Sequence, residues 1–361
     1  MTRSVWLAFT PRDSLFIRDG RAFDAGADNA ARAVWPNPST LAGAVGAALG
    51  GEPDEVRGPV LARRSRGGRW TPYFPVPADI VAVPDSGEVA RLRPGKAPEG
   101  SATDLGDAVP CWLDAAGKAG TGQSWGGWLP GEELRRYLAG ELVAPVARAG
   151  DVECLRETPV QSEPHVGLAR TDEHTARPGF LYQAAHLRMA DGWGFLAECV
   201  VSDGWDVEPR QSVPFGGRGR LAWVEVAGSV RWPQPPQRTG PHTFPDGRIA
   251  LYVATPALWH DGWRPPLPDG AKLVAAAVPD AEPVATAKPG RGGARPTDRM
   301  LRWAVPAGSV YCLKFADAAA ASAWALGDAG RPRVHGTAYG REPADRLRTA
   351  GFGVVLTGVW T

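Results

Sequence analysis

The chain has 361 residues, 43% hydrophobic and 22% charged, with 40 basic against 39 acidic side chains and a formal net charge of +1. That length admits two domains in a folded globular protein, and so even a charge balance excludes polyanion binding by bulk charge, leaving arginine position as the guide. Four cysteines (Cys111, Cys154, Cys199, Cys312) with no CxxC pair exclude the usual zinc spacing, and without a membrane-length apolar run or a signal-peptide start the expectation is a soluble, cytoplasmic chain with no metal or cofactor.

The 45 glycines and 35 prolines mark a loop-rich chain, and the 15 tryptophans mark a true core. "SVWLAF" (4–9) is dense in β-formers and predicts a first strand. "FTPRDSLFIRDGRAF" (9–23) follows, with Arg12, Arg18 and Arg21 threaded between apolar residues and Asp13 and Asp19. "NPSTLAGAVGAALGG" predicts a helix capped by Asn37 or Ser39, with Pro38 in its first turn and Gly50–Gly51 ending it. Leu41, Val45 and Leu49 share one face of it, and the Ala and Gly between them permit close approach to a sheet. Residues 51–130 read as insertions with short strands, and "GEELRRYLAG" as a short helix. "FLAECVV", "LAWVEV" and "IALYVATP" read as strands, "SVYCLKF" as another. "DAAAASAWAL" predicts a helix capped by Asp317 and stopped by Gly327, and "GFGVVLTGVW" a closing strand. Two β–loop–α openings, each followed by strands, point to an α+β fold of two split βαβ units, residues 1–200 and 201–361.

Several segments carry chemistry on their face. "GQSWG" (122–126) matches the nucleophile elbow but lacks the strand before and the helix after Ser124 that an elbow needs. His260-Asp261 has no further ligands at supporting positions. "PFGGRGRLAW" (214–223) sets Gly216, Gly217, Gly219, Arg218 and Arg220 before an apolar strand. Glycines admit close backbone approach to a phosphate and arginines pair with its oxygens; a plain hairpin turn satisfies the same sequence. "KPGRGGARPTDRMLRW" (288–303), opening on Lys288, is a solvated basic loop or a phosphate track. The polar run 157–188 holds His165, Arg170, His174 and His186. His165 and His174 are candidates for acid–base work, for RNA contact, or for ordering a loop.

"FTPRDSLFIRDGRAF", "WPNPSTLAGAVGAAL", "HVGLARTDEHTARPGFLYQAAHLR", "PFGGRGRLAWVEV", "LYVATPALWHDGW" and "VPAGSVYCLKF", in that order, resemble the third-subunit family of the Cmr (type III-B CRISPR) effector complex, within the RAMP superfamily. Residues 51–130 and the loop around Gly290 carry none of the likeness. The resemblance implies two ferredoxin-like (RRM-related) domains with long loop insertions and RNA binding rather than catalysis. It implies that the chain holds the 5′ tag of the guide RNA, docks the large polymerase-like subunit and abuts the first backbone RAMP subunit. In such proteins a glycine-rich loop near the last strand of a ferredoxin-like unit contacts RNA, which implicates Gly216, Gly217 and Gly219, and with them Gly351 and Gly353. With Arg18, Arg21, His165, Arg170, Arg218, Arg220 and Lys288 these form the expected RNA contacts. A RAMP-type endoribonuclease and a scaffold that touches only protein are the alternatives.

Overall fold

The first strand, Thr2–Pro11, is apolar on both sides: Leu7 and Phe9 enter one core, Trp6 and Ala8 another. A strand buried on both faces belongs at the middle of a sheet with a layer on each side. In the computed structural model, which describes residues 2–18, 30–31, 33–95, 111–112, 122–143, 146–235, 243–287, 299–328, 333–342 and 345–360, that is where it lies. It sits in a seven-stranded antiparallel sheet ordered Trp128–Pro130, Trp70–Pro75, Glu55–Arg64, Trp193–Ser202, Thr2–Pro11, Leu221–Val226, Ser212–Pro214. The fold is mixed, mostly antiparallel sheet with few helices, as an α+β reading expects.

The helix Pro38–Leu49 covers the Leu7/Phe9 face. The Asn37 side chain accepts from Thr40 N at 3.0 Å, Pro38 occupies the first turn and Gly50 turns left-handed at φ 71°, so each terminal signal acts as capping physics requires. Leu41 and Val45 are wholly buried, each contributing about 1.5–3 kcal/mol. The close approach to the sheet comes from Ala44 and Ala48, whereas Gly43 faces open space.

A second, five-stranded sheet runs Lys272–Ala277, Val310–Lys314, Arg248–Val253, Val354–Gly358, Thr337–Ala338, again antiparallel throughout. Its Ala250 and Tyr252 side packs on the Trp6/Ala8 side of the first sheet, and Tyr252 donates to Pro75 O across the gap at 2.7 Å. Its other side, Ile249, Leu251 and Val253, is covered by the Asp317-capped helix Ala318–Leu326. The layers are therefore helix, sheet, sheet, helix.

Two expected boundaries move. Strands Ser212–Pro214 and Leu221–Val226 complete the first sheet, so the change of unit falls between 226 and 248 rather than near 200. Within the expected insertion, Glu55–Arg64 and Trp70–Pro75 are integral to the first sheet. The additions among the described residues are a small sheet of Ile80–Val83, Glu88–Arg91 and Gln123–Ser124, joined by Val146–Arg148, and the short pair Arg93–Pro94 with Cys111–Trp112. Ser124 is exposed there, on a two-residue strand with no elbow around it.

The added sheet is fastened by a buried ion pair. Arg91 Nε donates to Asp79 Oδ2 at 2.8 Å, and Tyr137 Oη donates to the same carboxylate at 2.7 Å. The guanidinium lies 4.2 Å from the Tyr137 ring centre and reaches Val359 O at 3.3 Å. Added sheet and helix Gly131–Leu138 thus meet at one carboxylate, and Arg91 carries the link to Val359, just past the strand Val354–Gly358. Beneath the last strands, His335 is fully buried, with Nδ1 accepting from Thr357 N at 2.9 Å and Nε2 donating to Pro233 O at 2.8 Å. Burial pushes its pKa down to about 4.

Candidate nucleic-acid interface

The polar run 157–188 is no loop. It forms a long antiparallel ribbon, Val160–Arg170 against Ala176–Met189. Only its base, at Val160 and Leu187, reaches a sheet core, so most of its length lacks the apolar alternation that announces a half-buried strand. Its base is anchored by Ser14–Leu15, which pair with Arg188 and Leu187. Leu15, Phe16 and Ile17 are buried, at 9% exposure or less.

The Gly–Arg turn meets the ribbon at this base. Strands Ser212–Pro214 and Leu221–Val226 form a hairpin, and residues 215–220 close it, Phe215 N donating to Arg220 O. Gly217 N donates to Phe16 O at 2.7 Å. The three glycines have different duties. A Cβ at Gly216 would fall 2.9 Å from Phe16 O, and one at Gly217 would fall 3.1 Å from the Phe16 ring. Gly219, at φ 68°, would meet nothing. The first two let the turn lie on Phe16; the third leaves its backbone open to a ligand.

Arg218 itself is left-handed, at φ 56°, a conformation uncommon outside glycine. It sets the guanidinium 4.8 Å from the Phe16 ring centre and 5.4 Å from that of Tyr182. It has no ion pair among the described residues. Arg220 is different: it donates to Asp13 Oδ2 at 2.6 Å. Arg188 holds the other oxygen of Asp13 at 2.9 Å and also pairs with Glu163. Arg188 is the main reason that the Asp13 and Glu163 carboxyls sit below their ordinary range.

Next to this network His165 stacks on His186, ring centres 4.0 Å apart. His165 Nε2 is 2.7 Å from Glu163 Oε1, off the line of an aligned hydrogen bond, so the contact is an ion pair whenever the ring is protonated. His186 is 2% exposed, with Nδ1 3.0 Å from Ser14 Oγ. Burial first, then the charges of His165, Arg220 and Arg218, push its pKa down to about 4. One patch thus joins residues from four places in the chain: 13–16, 163–165, 182–188 and 216–220.

The remaining expected contacts lie elsewhere. Arg18 pairs across a bridge with Ala33 and lines a separate cleft. Arg170 stands near the far end of the ribbon, roughly 16 Å of strand beyond His165. His174 sits in the tip turn at φ 62°. Gly351 and Gly353 are buried: a Cβ at Gly351 would fall 2.6 Å from Val56 O, and one at Gly353 would fall 3.0 Å from Tyr339 O. Their missing side chains serve strand packing and offer no surface to RNA. Arg21 and Lys288 lie outside the described residues. His260 and Asp261 are exposed in a turn, and no cluster of metal-ligating groups occurs among the described residues. Nor, among them, is any helix long and apolar enough to cross a membrane. The partners that sequence reasoning did not name are Tyr182, Arg188 and the Ser14–His186 pair, which only the ribbon's register brings to the turn.

The family model described as CRISPR-associated protein (Cas_Cmr3) matches residues 7–360. A chain in the cryo-EM structure of the type III-B Cmr-beta bound to cognate target RNA is 13% identical, with 86% of each chain covered and a TM-score of 0.46. A chain in the same assembly bound to cognate target RNA and AMPPnP, state 1, is also 13% identical, covering 85% of this chain and 86% of that one at a TM-score of 0.45. No curated protein matches the sequence.

Proposed function

The chain belongs to the Cas_Cmr3 family of CRISPR-associated proteins, and from that premise we propose that it is a non-catalytic, RNA-binding RAMP subunit of a cytoplasmic type III-B CRISPR effector complex. In this reading it holds the 5′ tag of the guide RNA and docks the large polymerase-like subunit to the first backbone RAMP subunit. Its two sheets are then two ferredoxin-like units. What supports this is a shared order: counted along the chain, the four main strands of each sheet lie 2-3-1-4, the order of a split βαβ unit. The first unit carries its helix in the first crossover, the second unit in the second.

The observation that carries RNA binding is the division of labour in the Gly–Arg turn. Arg220 and Arg188 are neutralised by Asp13 and Glu163, while Arg218 is exposed and has no counter-charge among the described residues. Held between two rings beside the open backbone of Gly219, it can take a phosphate or stack on a splayed base. In purified complex, Arg218→Ala with Arg220→Ala is expected to lower guide-RNA occupancy and the protection of its 5′ end. Unchanged occupancy overturns the site.

One observation favours the ribonuclease alternative, the stacked His165–His186 pair beside Ser14. A base and an acid at a scissile phosphate are what metal-independent cleavage needs. Here His186 is buried and His165 is engaged by Glu163. The isolated chain incubated with repeat RNA is expected to leave it intact; cleavage that His165→Ala abolishes would replace the binding reading.

A further inference from the structure

The segment that supports the Gly–Arg turn leads to a second site. Phe16 lies under Arg218; two residues on, about 6.6 Å along extended chain, Arg18 lines a cleft between the first sheet and the hairpin Glu282–Ala287/Arg299–Ala304. The cleft encloses about 440 Å³, in the range of small-molecule sites. Its walls are aromatic. Trp35 meets Trp128 at 5.1 Å and Phe195 edge-on at 5.8 Å, with Tyr73 beside them. Trp35 is nonetheless 36% exposed, so one large ring stands ready for another flat group.

Two charged groups line this apolar space, Arg18 and Glu282. Among the described residues neither has a hydrogen bond or an ion pair, and they do not pair with each other. Burial raises the Glu282 pKa, the cost expected of a carboxylate without a partner in apolar surroundings. A fitting ligand therefore brings a flat apolar body, N–H donors for Glu282 and an anion for Arg18. An acyl chain leaves both charges unmet. A basic peptide side chain meets Glu282 but is repelled by Arg18.

We propose that this cleft binds a nucleotide with an amino-bearing base: the base packs on Trp35, its amino edge donates to the Glu282 carboxylate, and its phosphate pairs with Arg18. Uracil offers only its N3–H, flanked by two carbonyl oxygens that a carboxylate repels, and so meets Glu282 less well than an amino edge does. Free mononucleotides and one splayed nucleotide of an RNA strand carry the same chemistry. The assignment stands on the cleft's own residues and is separable from RNA binding at the Gly–Arg turn.

The test is calorimetric titration of the full chain with GMP, AMP, CMP and UMP, and with short single-stranded RNA, in the parent and in Arg18→Ala, Glu282→Leu, Trp35→Ala and Arg218→Ala. Amino-bearing nucleotides are expected to bind at least about tenfold tighter than UMP, the discrimination of one good base contact. Glu282→Leu should erase that difference and Arg18→Ala should weaken all four, while Arg218→Ala, at the other site, should leave the difference between amino-bearing nucleotides and UMP in place. If mononucleotides fail but RNA binds and is weakened by Arg18→Ala and Glu282→Leu, the occupant is a base of the strand. Circular dichroism checks each variant; should Trp35→Ala misfold, the two partly exposed charge variants carry the result. UMP binding as tightly as GMP, or affinities for nucleotides and RNA that ignore Arg18→Ala and Glu282→Leu, overturns the proposal.

Discussion

Removing the Asp79 carboxyl tests whether the buried ion pair fastens the added sheet to the rest of the molecule. In Asp79→Ala the Arg91 guanidinium and the Tyr137 hydroxyl lose their shared acceptor while staying 8% and 0% exposed. Breaking a buried pair from one side costs about 3–5 kcal/mol, and a buried hydroxyl left unpaired about 1–3 kcal/mol. The two overlap, because Arg91 keeps Val359 O and the Tyr137 ring; about 4 kcal/mol is the working figure. Against a total stability of about 5–15 kcal/mol, that is a large part. Urea unfolding of the isolated chain, followed by far-ultraviolet dichroism, should show a lower midpoint with an unchanged slope. Asp79→Leu with Arg91→Met and Tyr137→Phe should regain most of the loss, since an apolar replacement leaves no orphaned charge. A loss under about 1 kcal/mol for Asp79→Ala, or a triple variant no better than the single one, would refute the reasoning.

Buried His335 makes stability depend on pH. Its pKa is about 4 in the folded chain against about 6.5 unfolded, so between those values the unfolded chain binds the extra proton. Stability is therefore complete above about 6.5 and falls as pH drops towards 4, by about 3 kcal/mol in all; His186, depressed likewise, acts with the same sign. Unfolding midpoints measured across that window in the parent and in His335→Phe should converge at low pH, and parallel curves would rule the histidine out. At the ribbon, a Cβ on Gly167 would fall 2.7 Å from Tyr182 Cε2 and push that ring off Arg218. Gly167→Ala should therefore weaken guide-RNA retention without changing its salt dependence, whereas Arg218→Ala should lower the salt slope by about 1. Equal slopes in the two variants would contradict the roles given to stack and charge.

Much of the fold was legible because its signals are local. Asn37, Pro38 and Gly50 bound one helix, and Asp317 and Gly327 the other, as capping chemistry dictates. The six strands read from apolar density are strands. The ribbon was hidden because beyond its base at Val160 and Leu187 it leaves the sheet cores, and strand pairing alone leaves no hydrophobic period. The unit boundary was misplaced because "LAWVEV" pairs with the first strand over a separation of some two hundred residues, which no local pattern records. The site was half legible. Glycines and arginines at 216–220 marked a turn able to meet an anion, but which arginine stays unneutralised depends on Asp13 and on Arg188, brought in by register. Gly351 and Gly353 resemble the same kind of turn in sequence, yet burial gives them another use.

The shared face of the two sheets has a consequence for taking the molecule apart. Trp6, Ala8, Ala250 and Tyr252 lie in one continuous core, so a cut between residues 226 and 248 would leave each fragment with an uncovered apolar sheet. Neither half is a portable module, however complete its strand order looks. Produced separately, the fragments would be sticky and short-lived; produced together, they have every reason to find one another. The segment after residue 226 belongs to that same core through Ala227, Val230 and Trp232, and the molecule behaves as one indivisible body that happens to be written as two similar sentences.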